Sequence, residues 1–164
     1  MAGKITHSEL LRVLDYSPKT GIFTWKIQAS QRALVGRSAG RASGEYWAIK
    51  YCGRSYLAHR LAWFYVHGTW PGSDLDHRDT DKKNNRIANL RMANDSLNGA
   101  NKRLAANNTS GAKGVRARAN NRWRASIEHH GKFVSLGTYG SREEASAAYL
   151  AGAQQLYGDF ARAA

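Results

Sequence analysis

Residues 75–101 read LDHRDTDKKNNRIANLRMANDSLNGAN. Residues 74–77 are placed as a short strand, followed by a polar loop through about Ile87. Leu90–Met92 is the returning strand, and Asn94 or Asp95 caps a short helix to about Arg103. Asp76-His77 closes the first strand, Asn89 lies twelve residues after His77, and Asn98 twenty-one after. Strand neighbours point to opposite faces. Asp76 and His77 therefore converge on one group only if the strand ends there and the chain bends. Taken alone, Asp76-His77 fits a turn entry with a solvated Asp.

The regions upstream are read from their punctuation. Thr6-His7-Ser8-Glu9 fits a capping box, and Leu10, Leu11, Val13 and Leu14 predict a helix to about Tyr16. Pro18–Gly21 is a turn and Gly21–Lys26 a strand. Residues 28–44 are a Gly-, Ser-, Ala- and Arg-rich loop with room for a short strand. Glu45–Tyr51 and Arg54–Ala58 form a hairpin about Cys52-Gly53. Residues 59–67 are helical by the spacing of Leu61, Phe64 and Tyr65, and Gly68 stops them.

Downstream of a linker at 104–111 the pattern changes. Strands over Ala112–Ala119, Arg122–His129 and Lys132–Tyr139 are separated by Asn120-Asn121 and His130-Gly131, pairs suited to tight hairpin turns. A second capping box, Ser141 to Glu144, opens a helix whose face is Ala145, Ala148, Tyr149, Gly152 and Leu156. Alternation puts Val115, Ala117, Ala125, Ile127, Val134 and Leu136 under that helix, with Trp123 on the same parity. Arg116, Arg118, Arg122 and Arg124 share the other face, with Lys132 opening the third strand and Glu128 among them.

Charge sharpens this division. The 164 residues carry 25 Lys+Arg against 12 Asp+Glu, net +13. Residues 82–132 alone hold 12 basic and 2 acidic side chains, and all ten asparagines fall between Asn84 and Asn121. Clustered Arg on a small sheet repels itself unless a polyanion meets it, so nucleic acid is the first partner expected. No apolar run approaches the roughly 18 residues of a bilayer span, and no basic amphipathic helix suggests a membrane surface. One cysteine, Cys52, excludes an internal disulfide and a Cys-x-x-Cys zinc ribbon.

The run from Asp76 to Asn101, with HRLAWFYVHGTWP at 59–71 before it, resembles the HNH endonuclease family. It is most similar to the phage and intron-encoded, homing-type branch whose last motif residue is Asn. The resemblance spans roughly residues 5–103. It implies an α+β chain with a ββα-metal nuclease fold. It implies His77 as general base, Asn89 as the brace of its loop, and Asp76 and Asn98 as metal ligands. His59 aligns with a His often seen before this helix; with Asn85 and Arg86 it is counted as active-site support. Relatives commonly show Asn-Gly after the Asp-His-x start and Asp-Asn-Arg later, where this chain has Asp79-Thr80 and Asn84-Asn85-Arg86. Asp79 and Asp81 are alternative ligands. The chemistry agrees with the residue types: a neutral His suits proton abstraction near pH 7. Carboxylate and amide oxygens suit Mg²⁺ or Mn²⁺ rather than zinc.

Gly114-Val115-Arg116, Trp123 with Ala125 and Ile127, Leu136-Gly137-Thr138-Tyr139, and Glu143-Glu144-Ala145 leading to Ala148-Tyr149 resemble a second family, the APETALA-two type DNA-binding domain of ethylene-response factors. That resemblance implies a three-stranded sheet, packed on one helix, lying in the DNA major groove. It often has Arg where this chain has Glu128. The expectation is a nuclease over residues 1–104 and a targeting domain over 105–164. Together they would act as a metal-dependent endonuclease on double-stranded DNA, nicking or cutting both strands. The context implied is phage or mobile-element, monomeric, cytoplasmic and nucleoid-associated. The rivals are a non-catalytic sequence-specific DNA-binding regulator and a basic RNA-binding protein. The latter would show aromatics rather than Arg on the exposed sheet.

Overall fold

The computed structural model describes residues 4–94, Leu97, Asn101, Leu104 and 107–161. The chain is α+β, with small antiparallel sheets, and divides into two compact units, Met1–Met92 and Ala93–Ala164.

The first unit opens with α1, His7–Val13. Thr6 Oγ1 accepts the Glu9 amide at 3.2 Å, satisfying one orphan donor of the first turn. The Glu9 carboxylate does not complete the expected box; it takes the Arg12 guanidinium at 2.8 Å and the Tyr51 hydroxyl at 2.6 Å. The helix expected to reach Tyr16 stops at Val13. Leu14–Ser17 is instead strand β1, antiparallel to β2, Ile22–Trp25, with Leu14 opposite Trp25 and Tyr16 opposite Phe23. Leu14 and Tyr16 are buried with Asp15 exposed between them, a period of two that a strand can satisfy and a helix cannot.

A meander follows: β3 Arg41–Ser43, β4 Tyr46–Tyr51 and β5 Arg54–Leu57. Cys52 and Gly53 both take positive φ, 46° and 77°, as the expected two-residue turn requires. β5 runs directly into α2, Ala58–His67, which ends on Gly68 in the left-handed region. α2 buries Ala58, His59, Leu61, Ala62 and Phe64. Its apolar members join Leu10, Val13, Leu14, Phe23 and Ile49 in the first core. β6, Asp74–His77, then pairs with β7, Leu90–Ala93, and a loop ending in a 3-10 turn at Ile87–Asn89 joins them.

The second unit carries β8 Val115–Arg118, β9 Arg122–His129 and β10 Lys132–Tyr139, with β9 central, and α3, Arg142–Tyr157. Asn120, Asn121, His130 and Gly131 all have positive φ, so both expected turns form. The Ser141–Glu144 capping box is complete. Val115, Ala125 and Ile127 are buried with Ala145, Tyr149, Ala153 and Tyr157, and half-buried Trp123 and Leu136 pack against them. Three expected core positions differ. Ala117 is exposed, because it lies at the hairpin end of a short edge strand. Val134, on the other edge strand, is 41% exposed, ahead of a bulge between Ser135 and Gly137. Leu156 is 37% exposed, because the buried row of α3 advances four at a time through Ala153 to Tyr157. One helix covers the centre of a three-stranded sheet better than its edges.

Gly21 links the first hairpin to the loop between β6 and β7. Its φ is +75°, and a Cβ there would stand 2.5 Å from the Arg86 nitrogen and 2.6 Å from the Asn85 carbonyl carbon. Gly21→Ala meets both left-handed strain and a backbone clash, a loss of about 1–3 kcal/mol or more. Gly36 has the same φ with nothing within 4 Å of its Cβ, so Gly36→Ala loses only about 1 kcal/mol. Urea unfolding should show the larger midpoint drop for Gly21→Ala at an unchanged slope.

Candidate active site

β6 ends on Asp76-His77 and the chain bends at once, as convergence of the two side chains requires. The Thr80 amide donates to the His77 carbonyl at 2.9 Å, and Thr80 itself has φ 66°. A β-branched residue in the left-handed region is strained by roughly 1–3 kcal/mol, so the surrounding loop must hold it.

That loop is organised by one carboxylate. Asp79 Oδ1 accepts the Asp81 amide at 2.9 Å and Asn89 Nδ2 at 2.9 Å, while its Oδ2 accepts Asn84 Nδ2 at 2.6 Å. Asn89 returns the contact: its Oδ1 accepts the Asp79 amide at 3.1 Å, and its Nδ2 also donates to the Asn84 carbonyl at 2.9 Å. The Asn89 carbonyl takes the Arg78 amide at 2.9 Å. Partial burial works against the Asp79 anion. The bonds from Asn84, Asn89 and the Asp81 amide outweigh it and hold the carboxyl below its ordinary range. Asn84, Asn85 and Arg86 thus depart from the commoner Asp-Asn-Arg run within a closed loop.

His77 is 4% exposed. Its Nε2 lies 3.5 Å from Asn85 Oδ1, at the outer limit of a hydrogen bond. Asn85 is buried too, its Nδ2 donating to the Lys83 carbonyl and its own carbonyl taking the Tyr16 hydroxyl at 2.7 Å. The His59 ring, from the first turn of α2, stands edge-on to His77 with centroids 5.1 Å apart and planes at 74°. Burial lowers the His77 pKa against the pull of Asn85 and the nearby Asp79, Asp76 and Asp81. Burial, with smaller effects from His77 and Arg60, lowers that of His59 to about 4. Both rings are therefore neutral at pH 7. His59 Nδ1 is buried with no hydrogen-bond partner among the described residues.

Asp76 is half-buried and paired. Arg91, 6% exposed, approaches its Oδ2 with Nε at 2.9 Å and Nη2 at 2.8 Å. Asp76, His77, Asn85, Asn89 and His59 thus lie in one unit, on β6, its loop and the start of α2. Arg86 is exposed in that loop. Asn98 lies outside the described residues. Asn94 Oδ1 accepts the Leu97 amide at 3.0 Å, as a cap would. Among the described residues no group of three or more His, Cys, Asp and Glu is placed to hold a metal ion. No helix of the described residues is long and apolar enough to cross a membrane.

Sequence reasoning missed Arg91 and Tyr46. Arg91 carried one usable signal, a charged side chain on a strand returning beside Asp76. Tyr46 carried none, because it reaches the histidines from a distant hairpin.

In the second unit the register pairs Arg116 with Arg124 and Arg118 with Arg122, so all four arginines share one face. Ser126, Glu128, Ser135 and Phe133 continue it, Phe133 opposite Glu128 and 72% exposed. Arg122 Nη2 donates to the Thr138 carbonyl at 3.0 Å. Lys132 stands opposite His129, on the parity of Val134 rather than of the arginines.

The sequence profile of one family, described as HNH endonuclease, matches residues 56–100. The chain is also 30% identical over 139 residues to an uncharacterised HNH endonuclease of Acanthamoeba polyphaga mimivirus, covering 84% of this chain and 68% of that protein. No solved structure matches significantly.

The depressed His59 pKa makes stability depend on pH. Above pH 6.5 the ring is neutral folded and unfolded, and it contributes nothing. Between 6.5 and about 4 only the unfolded chain takes up the proton, so stability falls as pH falls. By pH 4.5 the loss from this residue is about 2–3 kcal/mol. Urea unfolding at pH 7.5 and 4.5 should show a smaller difference in His59→Gln than in the wild type.

Proposed function

The chain belongs to the HNH endonuclease family, and from that premise we propose that it is a metal-dependent DNA endonuclease with its active site at the end of β6. The nuclease is assigned to residues 1–104, with a ββα-metal fold, and DNA targeting to residues 105–164. The observation that carries this reading is the buried, neutral His77 at a strained strand end, beside Asp76 and over a loop braced by Asn89.

Each residue has a derived task. His77, unprotonated at pH 7, accepts the proton of the attacking water. Asn89 and Asp79 hold the bend that presents it, and Asn85 meets its Nε2. His59 fills the space at its edge, and Arg86, exposed in the same loop, is placed for a phosphate. Arg91 holds the Asp76 carboxylate in one orientation. The donor chemistry fits a hard divalent cation: Asp76 contributes a carboxylate oxygen and, in this reading, Asn98 an amide oxygen. Mg²⁺ or Mn²⁺ bound there would supply positive charge to the developing oxyanion.

The arginine face supports the targeting half. Arg116 opposite Arg124 and Arg118 opposite Arg122 are like-charge cross-strand pairs, which destabilise a sheet unless an anion lies against them. Duplex DNA supplies that anion through its phosphates, and Arg also reads guanine edges in the major groove. Lys132, opposite His129 and on the other parity, is set apart from this face.

Supercoiled plasmid tests the catalytic half. Cleavage should require Mg²⁺ or Mn²⁺ and stop with chelator. His77→Ala should lower the rate by about 10²–10⁴-fold while leaving DNA affinity within about twofold. Wild-type cleavage by His77→Ala would remove the general-base assignment.

Fluorescence anisotropy on the full chain tests the other half. Arg116→Ala with Arg118→Ala should weaken duplex binding and reduce the slope of log affinity against log salt by roughly 2, about one counterion per arginine. An unchanged slope would remove those arginines from the interface.

A further inference from the structure

β4 carries three aromatic residues with different surroundings. Trp47 and Tyr51 pack against the apolar core. Tyr46, half-buried at the start of the strand, lies against the two histidines instead: its ring centroid is 5.2 Å from that of His59 and 6.4 Å from that of His77. The Lys82 ammonium sits 5.2 Å from the same ring centroid and donates to Glu45 Oε2 at 2.5 Å. Glu45 precedes Tyr46 in the turn between β3 and β4, and Lys82 belongs to the loop that follows His77. The turn is therefore fastened to the very loop that presents the histidine. Tyr46 also lies outside the 56–100 segment that matches the family profile.

We propose that Tyr46 is a positioning residue of the active site, fixing the His77 ring, and that the Glu45–Lys82 pair latches the turn that carries it. This rests on the reading of His77 as general base. The geometry supplies the reason. The hydrogen bond from His77 to Asn85 is 3.5 Å long, too weak to set the ring's rotation alone. Ring packing adds to it, from the edge of His59 and from Tyr46, whose ring lies beside both histidine rings at once. The latch is built from an exposed ion pair and a cation–π contact, each weak at the surface. It restrains the turn without burying it.

The experiment compares Tyr46→Phe and Tyr46→Leu with wild type in the full chain. Single-turnover cleavage of supercoiled plasmid with Mg²⁺ or Mn²⁺ gives the rate and the half-saturating protein concentration. Tyr46→Leu should cut about 10–100-fold more slowly, the effect of an approximately 1 Å misplacement, with half-saturation within about twofold of wild type. Tyr46→Phe keeps the ring and should restore the rate to within about threefold. In carbon–proton NMR spectra the His77 and His59 ring signals should shift in Tyr46→Leu and stay near wild type in Tyr46→Phe. Four results overturn the proposal: a wild-type rate in Tyr46→Leu; unmoved His77 signals in Tyr46→Leu; equal losses in both variants; or loss of the cooperative melting transition in Tyr46→Leu, which would make Tyr46 a core residue. His77→Ala serves as the reference. If it cuts at the wild-type rate the general-base reading fails, while the NMR shifts still report whether Tyr46 sets the ring.

Discussion

The Asp79 carboxylate closes the loop between β6 and β7 from within, accepting from Asn84, Asn89 and the Asp81 amide. The two strands it joins are four residues each, too short to hold a polar loop in one shape by pairing alone. A loop of this length loses conformational entropy on closing, and it has no apolar side chain of its own to drive that closure until Ile87. Charge-assisted bonds inside the loop supply the order instead. They account for a non-glycine residue, Thr80, holding a left-handed φ directly after the site, and for Asn85 being buried beneath His77.

Around that loop the first unit buries several polar groups close together. Two neutral histidines share an edge-on contact, and an arginine–carboxylate pair lies beside them with both side chains largely withdrawn from solvent. Such a pair adds little net stability, because desolvation offsets its attraction, but removing either partner strands a charge. Its value is in orientation: Asp76 faces one way because Arg91 approaches a single oxygen through two nitrogens. The hairpin β1–β2 completes the support, with Gly21 against the Asn85–Arg86 backbone and the Tyr16 hydroxyl on the Asn85 carbonyl.

Local chemistry was legible in the sequence wherever one residue type had one use. The Asn120-Asn121 and His130-Gly131 turns, the Ser141 capping box and the Gly68 stop are all local rules, and all formed. So was the strand–loop–strand of the candidate site, read from Asp76, His77, Asn89 and Leu90. What failed was set at long range. Leu14, Asp15 and Tyr16 fit either the end of a helix or a strand, and pairing with β2 decided between them. Ala117 and Val134 have core parity, but a single helix is too narrow to cover the edges of the sheet, and Leu156 falls off the row that α3 buries from Ala145 to Tyr157. Tyr46 meets the site from another hairpin, so no spacing along the chain could nominate it, whereas Arg91 was marked only by its charge on the strand returning beside Asp76. Asn98 falls outside the described residues, and its part in the site stands on resemblance to the family.

The second unit poses the opposite electrostatic problem. In the first, three charges near the site have counterparts: Arg91 for Asp76, Glu45 for Lys82, amide donors for Asp79. On the β8–β9 face, arginine stands opposite arginine twice over, and the acid on that face, Glu128, lies four residues along from Arg124 near the hairpin end. At the strand rise of about 3.4 Å that is roughly 14 Å, beyond a Debye length at physiological salt, so it compensates little. Folding alone gives no reason to align like charges in register, since a shift of one residue in composition would relieve them at no loss to the core beneath. A ligand with regularly spaced negative charge gives that reason. Binding a polyanion would release the self-repulsion of the free face and add to the salt-sensitive attraction that the proposed DNA targeting calls for.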